Sequence, residues 1–328
     1  MKRALVISGG GSKGAFAIGA MEVLQDVLGQ PNPAFDIVAG TSTGALIVPF
    51  VPTAEIQVLR GVYSSVTTDD ILSKRNIIEI LATDAIFDTT PLWQLINSFI
   101  TEERYRKIVA SPVEVFLTTV NLQSGQIEYF NQHTSGENAG PMTRDNFCRA
   151  MHASASQPVL MPPVEVPEGA DQFVDGGVRE LAPLKIAIDH GATHIYAIVL
   201  SPERRERQET RYRFIVNTLL RTIELFTQEI VANDIHTAVQ INRAVMHWQQ
   251  IRARAEALLS PDQVAQIFDA ADLPFPFADK RVVEITLIRP EVELAGDALE
   301  FHPAIMSQWM AMGREAAQKA LAHGPFVT

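Results

Sequence analysis

The sequence holds a single cysteine, Cys148, in 328 residues. That excludes an internal disulfide and any cysteine-based zinc cluster. It is also short of positive charge: 27 Lys and Arg against 38 Asp and Glu leave a formal net charge of -11. Such a balance disfavours a nucleic-acid groove, and also simple electrostatic adsorption to anionic lipid. Any transient contact with a membrane surface has to rest on local apolar or basic patches. No uncharged run reaches transmembrane length; the nearest, Phe214 to Val231, carries Arg221, Glu224 and Glu229. Met1-Lys2-Arg3 before Ala4-Leu5-Val6-Ile7 looks briefly like a signal peptide, but four apolar residues before Ser8 and three glycines are too few for its hydrophobic region. The expectation is a cytoplasmic protein, with signal-independent secretion left open. There is no internal repeat and no low-complexity tract. What is present is a globular composition, 47% hydrophobic and 20% charged, with enough length for an α/β domain carrying insertions.

Local patterns order the first two hundred residues. Residues 3–8 read as a buried strand, 15–28 as a helix with apolar positions every three to four residues, and 35–39 as a second strand. Strand and helix signals alternating around glycines indicate a layered α/β fold. Further along, Pro91 to Ile100 reads as a helix. Val113 to Asn121 and Ile127 to Phe130 read as strands joined through Gln123-Ser124-Gly125. Thr143 is a candidate N-cap for a helix ending near Ala153. Pro158, Pro162 and Pro163 force extended or turn structure. Pro183 to His190 reads as a helix and His194 to Leu200 as a strand. Residues 202–211 are the best linker candidate. From Tyr212 to Leu259 the pattern predicts two or more helices, followed by a strand at 282–288 and a last helix over Pro303 to Leu321.

Three short motifs bear chemistry. Gly40-Thr41-Ser42-Thr43-Gly44 matches G-x-S-x-G between an apolar strand and the helix-forming Ala45-Leu46-Ile47-Val48, the setting of a nucleophile elbow. A sharp turn there strains the serine backbone and presents its hydroxyl above the sheet. Pro49 and Pro52 predict that the helix after the elbow is short, kinked or soon ended. Gly9-Gly10-Gly11-Ser12-Lys13-Gly14 supports several readings. One is a dinucleotide site, since it matches G-x-G-x-x-G between strand and helix; but no acidic residue closes the next strand, because Asp36 precedes it. A P-loop fails on spacing. An oxyanion hole formed by free glycine amides, and a plain tight turn, both remain open. Asp175-Gly176-Gly177 follows Phe173-Val174 and by itself is an ordinary turn. A serine nucleophile needs a base, yet none of the eight histidines sits in a recognisable catalytic motif; His190, His194 and His302 are the least easily set aside.

Taken in order, the three motifs resemble the patatin-like phospholipases. Ala153-Ser154-Ala155-Ser156-Gln157-Pro158 and Pro162-Pro163-Val164 resemble the segment before that family's catalytic aspartate, with Gln157 and Met161 as departures. The likeness is clear over about residues 4–200, weaker at Ile288-Arg289-Pro290 and the last helix. It implies a three-layer α/β fold, with a mainly parallel central sheet flanked by helices. It also implies a serine acyl-ester hydrolase acting on phospholipid, lysophospholipid or acylglycerol through an acyl-enzyme. Ser42 and Asp175 would form a dyad that uses no histidine. Gly9, Gly10, Gly11, Ser12 and Gly14 would belong to the oxyanion loop, and Gly40, Gly44, Gly176 and Gly177 would support the motifs. Neither metal nor other cofactor is called for. Residues 1–200 are expected to be the catalytic domain and 201–328 a mainly helical region with a late strand, packed on or capping it. The apolar residues around Phe214 to Phe226 have a functional reading as a lid or acyl-chain channel, against an ordinary core helix. A nucleotide-binding module using the Gly9–Gly14 loop, and a non-catalytic member of the fold, are the competing readings. Head group and oligomeric state are left unassigned.

Overall fold

The computed structural model describes residues 1–29, 34–134, 142–204, 207, 211, 213, 215–269, 275–277 and 280–325. The strands are β1 (Arg3–Ile7), β2 (Ile37–Thr41), β3 (Ser73–Lys74), β4 (Phe87–Asp88), β5 (Glu114–Asn121), β6 (Ile127–Asn131), β7 (Val164–Glu165), β8 (Gln172–Asp175), β9 (His194–Ile198) and β10 (Glu284–Ile288). The helices are α1 (Gly14–Leu28), α2 (Thr43–Ile47), α3 (Ile56–Ser65), α4 (Ile77–Ala82), α5 (Thr90–Phe99), α6 (Glu102–Ala110), α7 (Arg144–Ala155), α8 (Leu184–Asp189), α9 (Ile215–Leu258), α10 (Pro261–Phe268) and α11 (Pro303–His323).

The main sheet runs β10-β9-β1-β2-β5-β8-β7, with β6 on the other edge of β5. From β10 to β5 every pairing is parallel. A parallel sheet needs cover on both faces, which is why its strands read as unbroken apolar runs. Alternate side chains of β1 serve the two layers. Leu5 and Ile7 join the larger core with α1 and α11, while Ala4 and Val6 join the smaller core with α8 and Ala238 of α9. The chain is thus a three-layer α/β fold, as its motifs implied.

Sequence patterning located most elements to within a few residues. The Gln123-Ser124-Gly125 turn does connect an antiparallel pair, β5 and β6. Thr143 does cap α7, its hydroxyl accepting from the Asn146 amide. After the elbow, α2 ends at Ile47 and a single 3-10 turn over Val48–Phe50 follows, as the prolines require. Two corrections stand out. The segment expected to hold two or more helices is one unbroken helix, α9, of 44 residues. Its interior has neither glycine nor proline, and the first breaker is the Ser260-Pro261 pair that starts α10. At 1.5 Å per residue α9 is about 66 Å long. Helices α3, α4, α6 and α10 were not anticipated, although Thr101 caps α6 through the Arg104 amide and Glu102 and Glu103 occupy its first turn. Half of residues 202–211, the linker candidate, lie outside the described residues, as does Phe214. Beyond residue 201 the chain returns to the sheet as β10, and α11 packs along α1. No helix among the described residues is long and apolar enough to cross a membrane.

Candidate active site

The site forms where two strands meet head to head. β2 runs parallel to β5 and its pairing ends at Thr41 opposite Thr118. β8 runs antiparallel to β5 and its pairing ends at Asp175 opposite Thr119. β6 occupies residues Phe116 to Val120 from the opposite side, so β2 and β8 share one edge of β5. They approach each other along it and stop one residue apart. Ser42, the residue after β2, and Asp175, the last of β8, are therefore delivered to the same point from 133 positions apart in the chain. The glycine loop leaves β1, the neighbour of β2, at the same carboxyl end of the parallel strands. That is where open α/β sheets place their ligand sites.

Ser42 has φ 57° and ψ -124°, a backbone conformation that is costly for a residue with a side chain and characteristic of functional turns. Close approach holds it. A Cβ on Gly44 would lie 2.2 Å from the Ile7 carbonyl oxygen, and one on Gly40 2.3 Å from the Gly44 backbone. The Ser42 amide donates to Ser154 Oγ at 3.0 Å, and the Ser154 hydroxyl donates to the Thr118 carbonyl at 2.6 Å. Ser154 thereby bridges the gap in the ladder where β2 leaves β5. Sequence reading included Ser154 only as part of a family-like segment and missed this role.

Asp175 is 2% exposed. Its amide donates to the Ser156 carbonyl at 2.8 Å, and its Oδ1 accepts from the Gly177 amide at 2.7 Å. Burial pushes its carboxyl up to about 7, while the neighbouring Ser42 hydroxyl and the Gly177 amide pull the other way. A carboxylate at that level is poised to exchange a proton near neutral pH. Gly176 packs against the Thr118 carbonyl and Gly177 against Asp175 and Leu181.

The glycine loop divides into engaged and open amides. Gly9 N–H donates to the Leu181 carbonyl at 3.2 Å and Ser12 N–H to the Ala298 carbonyl at 2.8 Å, and Gly14 N–H returns to the Gly11 and Ser12 carbonyls. The N–H groups of Gly10 and Gly11 have no acceptor among the described residues. Of the five residues assigned to the loop by resemblance, Gly9, Ser12 and Gly14 thus have their amides engaged within the protein, and Gly10 and Gly11 have theirs open. Gly11 has φ 57°, and a Cβ there would lie 2.1 Å from the Ala298 carbonyl oxygen. Lys13 is buried and pairs with Glu293 at 3.2 Å. β2 ends at Thr41, so the acidic residue a dinucleotide site would want there is lacking.

A cavity of about 530 Å³ joins these groups, lined by Gly9, Gly10, Gly11, Ser42 and Asp175. One wall is apolar and comes chiefly from α3 and α5, including Leu59, Val62, Leu92, Ile96 and Phe99. Another comes from α9, where Ile223 sits among Arg221, Glu224, Thr227 and Gln228. Leu225 and Phe226 of the same helix face outward, 49% and 66% exposed. Histidines are absent from the described lining. His190 pairs with Glu114, His194 with Thr286 and Glu284, and His302 with Glu300. Among the described residues no group of three His, Cys, Asp or Glu side chains could hold a metal ion.

Residues 5–188 match the family model described as Patatin-like phospholipase. Among solved structures, the crystal structure of VipD from Legionella pneumophila aligns at 11% identity with a TM-score of 0.47, covering 99% of this chain and 67% of that one. A comparison with curated proteins returned no match.

Proposed function

The chain belongs to the patatin-like phospholipase family, and from that membership we propose that it hydrolyses lipid carboxylic esters through Ser42 and Asp175. The observation that carries this reading is the meeting of β2 and β8 on β5, which sets a strained serine beside a fully buried aspartate. In the proposed reaction the Ser42 Oγ–H proton passes to the Asp175 carboxylate as Oγ bonds to the ester carbonyl carbon. The carbonyl oxygen, now negative, is received by the open amides of Gly10 and Gly11. Collapse breaks the bond to the alcohol, which leaves with the proton from Asp175. Water then attacks the acyl-enzyme, giving its proton to Asp175, and the carboxylic acid departs as Ser42 regains its hydrogen.

The magnitudes assign the work. General-base catalysis supplies about 10²–10⁴-fold, and each oxyanion donor about 10²–10³-fold. The open glycine amides therefore carry as much of the rate as the aspartate does. The apolar wall from α3 and α5 suits an acyl chain, since ligand pockets of this size are mostly apolar with a few placed polar groups. In this reading the proximal part of α9 is a wall of the acyl channel rather than plain core. The exposed Leu225 and Phe226 on its outer face are candidates for transient contact with a lipid surface.

Labelling with a fluorophosphonate, followed by peptide mass spectrometry, tests the assignment. Phosphonylation is expected on Ser42, and turnover of phospholipid, lysophospholipid, acylglycerol and short esters should fall together in Ser42→Ala. A folded protein that takes up no label, with Ser42→Ala turning over esters at the parent rate, would reject it.

A further inference from the structure

Two residues between the aspartate turn and α8, Glu180 and Leu181, contact all three motifs of the site. The Glu180 carbonyl accepts the hydroxyl of Thr41, the residue before Ser42, at 3.2 Å. The Leu181 carbonyl accepts the Gly9 amide at 3.2 Å. Leu181 Cδ1 lies 2.6 Å from where a Cβ would sit on Gly9 and equally on Gly177, so one side chain is wedged between the glycine loop and the aspartate turn. This segment is not itself part of a strand or a helix. Its Leu181 and Ala182 amides both donate to a single oxygen, Asp234 Oδ2, at 3.0 and 2.9 Å.

Asp234 belongs to α9, far outside residues 5–188. It sits on the inward face of that helix with Val231, Ala238, Asn242 and Val245, the four of them buried. Asn242 repeats the arrangement two turns on, exchanging hydrogen bonds with the Val283 backbone at 2.6 and 2.9 Å. The helix is therefore fastened by polar side chains that complete backbone groups of irregular segments, and a buried amide left without such a partner is costly. Asp234 does not line the cavity, so its effect on a substrate has to pass through Leu181 and Ala182. Asp234 also acts electrostatically on Glu180 and Tyr129, which hydrogen-bond each other, and Lys185 acts on Glu180 from α8.

We propose that Asp234 is a positioning residue: by holding the Leu181 and Ala182 amides from α9, it fixes the carbonyl that ties down Gly9 and thereby aligns the glycine loop with the Asp175 turn. The proposal rests on the hydrolase reading above. Its physical basis is that reacting groups displaced by about 1 Å can lose about 10²-fold in rate while binding is little changed.

The test uses the full chain and a short soluble aryl ester. Asp234→Ala is expected to lower kcat by about 10–100-fold with KM within about twofold of the parent. Amide hydrogen exchange should quicken at Gly9, Leu181 and Ala182 while residues of β1 stay protected. Asp234→Asn retains an oxygen that can accept both amides and should recover most of the lost kcat. A parent-like kcat in Asp234→Ala, or unchanged protection at Gly9, overturns the proposal. If Asp234→Ala does not fold, Asp234→Glu keeps the acceptor but displaces it by a methylene. A kcat about tenfold down is then expected, and a parent-like kcat overturns it. The exchange measurement keeps the two readings apart. Should Ser42→Ala retain full turnover, the hydrolase assignment to Ser42 falls, while faster exchange at Gly9 in Asp234→Ala would still uphold the coupling.

Discussion

The cavity is bounded by two kinds of structure built on opposite terms. On one side are three short turns at the ends of β1, β2 and β8, where glycines and a strained serine bring backbone and carboxylate together. On the other is α9, a helix of 44 residues whose proximal part presents Arg221, Ile223, Glu224, Thr227 and Gln228 to the same space. The turns have little freedom, because Gly11, Gly40, Gly44 and Gly176 abut backbone and Gly9, Gly10 and Gly177 abut side chains. The helix is fastened instead through side chains, Asp234 and Asn242, and farther along it Trp248 and Arg252 meet Phe268 and Asp269. Chemistry that depends on unusual backbone geometry sits where packing dictates the backbone. A wall that only has to offer side chains can be a regular element with a tolerant surface.

The contrast can be broken most directly at the serine. Ser42→Ala is expected to lower kcat/KM on a soluble ester by about 10⁴-fold, and Asp175→Asn by about 10²–10⁴-fold. Losses below tenfold for both would move the chemistry elsewhere. Gly11→Ala tests whether the turns are as intolerant as their contacts imply. Its left-handed φ alone costs about 1–2 kcal/mol, and the new Cβ would collide with the Ala298 carbonyl. Lower stability in denaturant unfolding and at least about tenfold less activity are expected. Normal values for both would show that the loop relaxes freely.

The pH dependence sharpens the electrostatic side. In the proposed mechanism Asp175 acts as a base only when ionised, and burial raises its pKa to about 7. Initial-rate kcat/KM should therefore climb about tenfold per unit below that point and level off above it. A flat profile from pH 5 to 8 would exclude the aspartate as base. The same shift acts on stability. A carboxyl whose pKa is raised in the folded state contributes stability that is complete below its unfolded value and is lost as pH rises through about 7. Asp175→Asn should therefore melt above the parent near pH 8, with the advantage gone near pH 4. The smallest effect is predicted at the far end of α9. Leu258 is 83% exposed, so Leu258→Glu should change stability by no more than about 0.5 kcal/mol and leave soluble-ester kcat unaltered. A large effect there would mean that the distal part of the helix is coupled to the site after all.

Much of this was legible beforehand, for reasons that differ by element. Parallel strands buried on both faces leave continuous apolar runs, and glycine clusters mark turns whatever surrounds them, so β1, β2, the elbow and the Asp175 turn could be read locally. Helix α6 carries a threonine cap and an acidic first turn, local signals of a helix start. The helical span of α9 was legible but its continuity was not, although no glycine or proline interrupts it before Ser260-Pro261. Ser154 and Leu181 act through one hydroxyl and one carbonyl. Neither group follows a periodic pattern, and nothing in the local sequence distinguishes them from their neighbours.

What the sequence by itself determined is the inventory: a strand–glycine loop–helix opening, a serine in a tight elbow, an aspartate in a glycine turn, and a composition suited to a layered α/β core. These are local matters, governed by backbone sterics and side-chain period. Only the tertiary structure decided that β2 and β8 run toward each other along one edge of β5, that Gly10 and Gly11 keep open amides while Gly9, Ser12 and Gly14 do not, and that Asp234 reaches back from α9 to hold Leu181 and Ala182. The physical reason is that each of these depends on which backbone groups find partners. Partners 50 to 300 residues away are chosen by the packing of the whole sheet and its helices, which no short stretch of chain encodes alone.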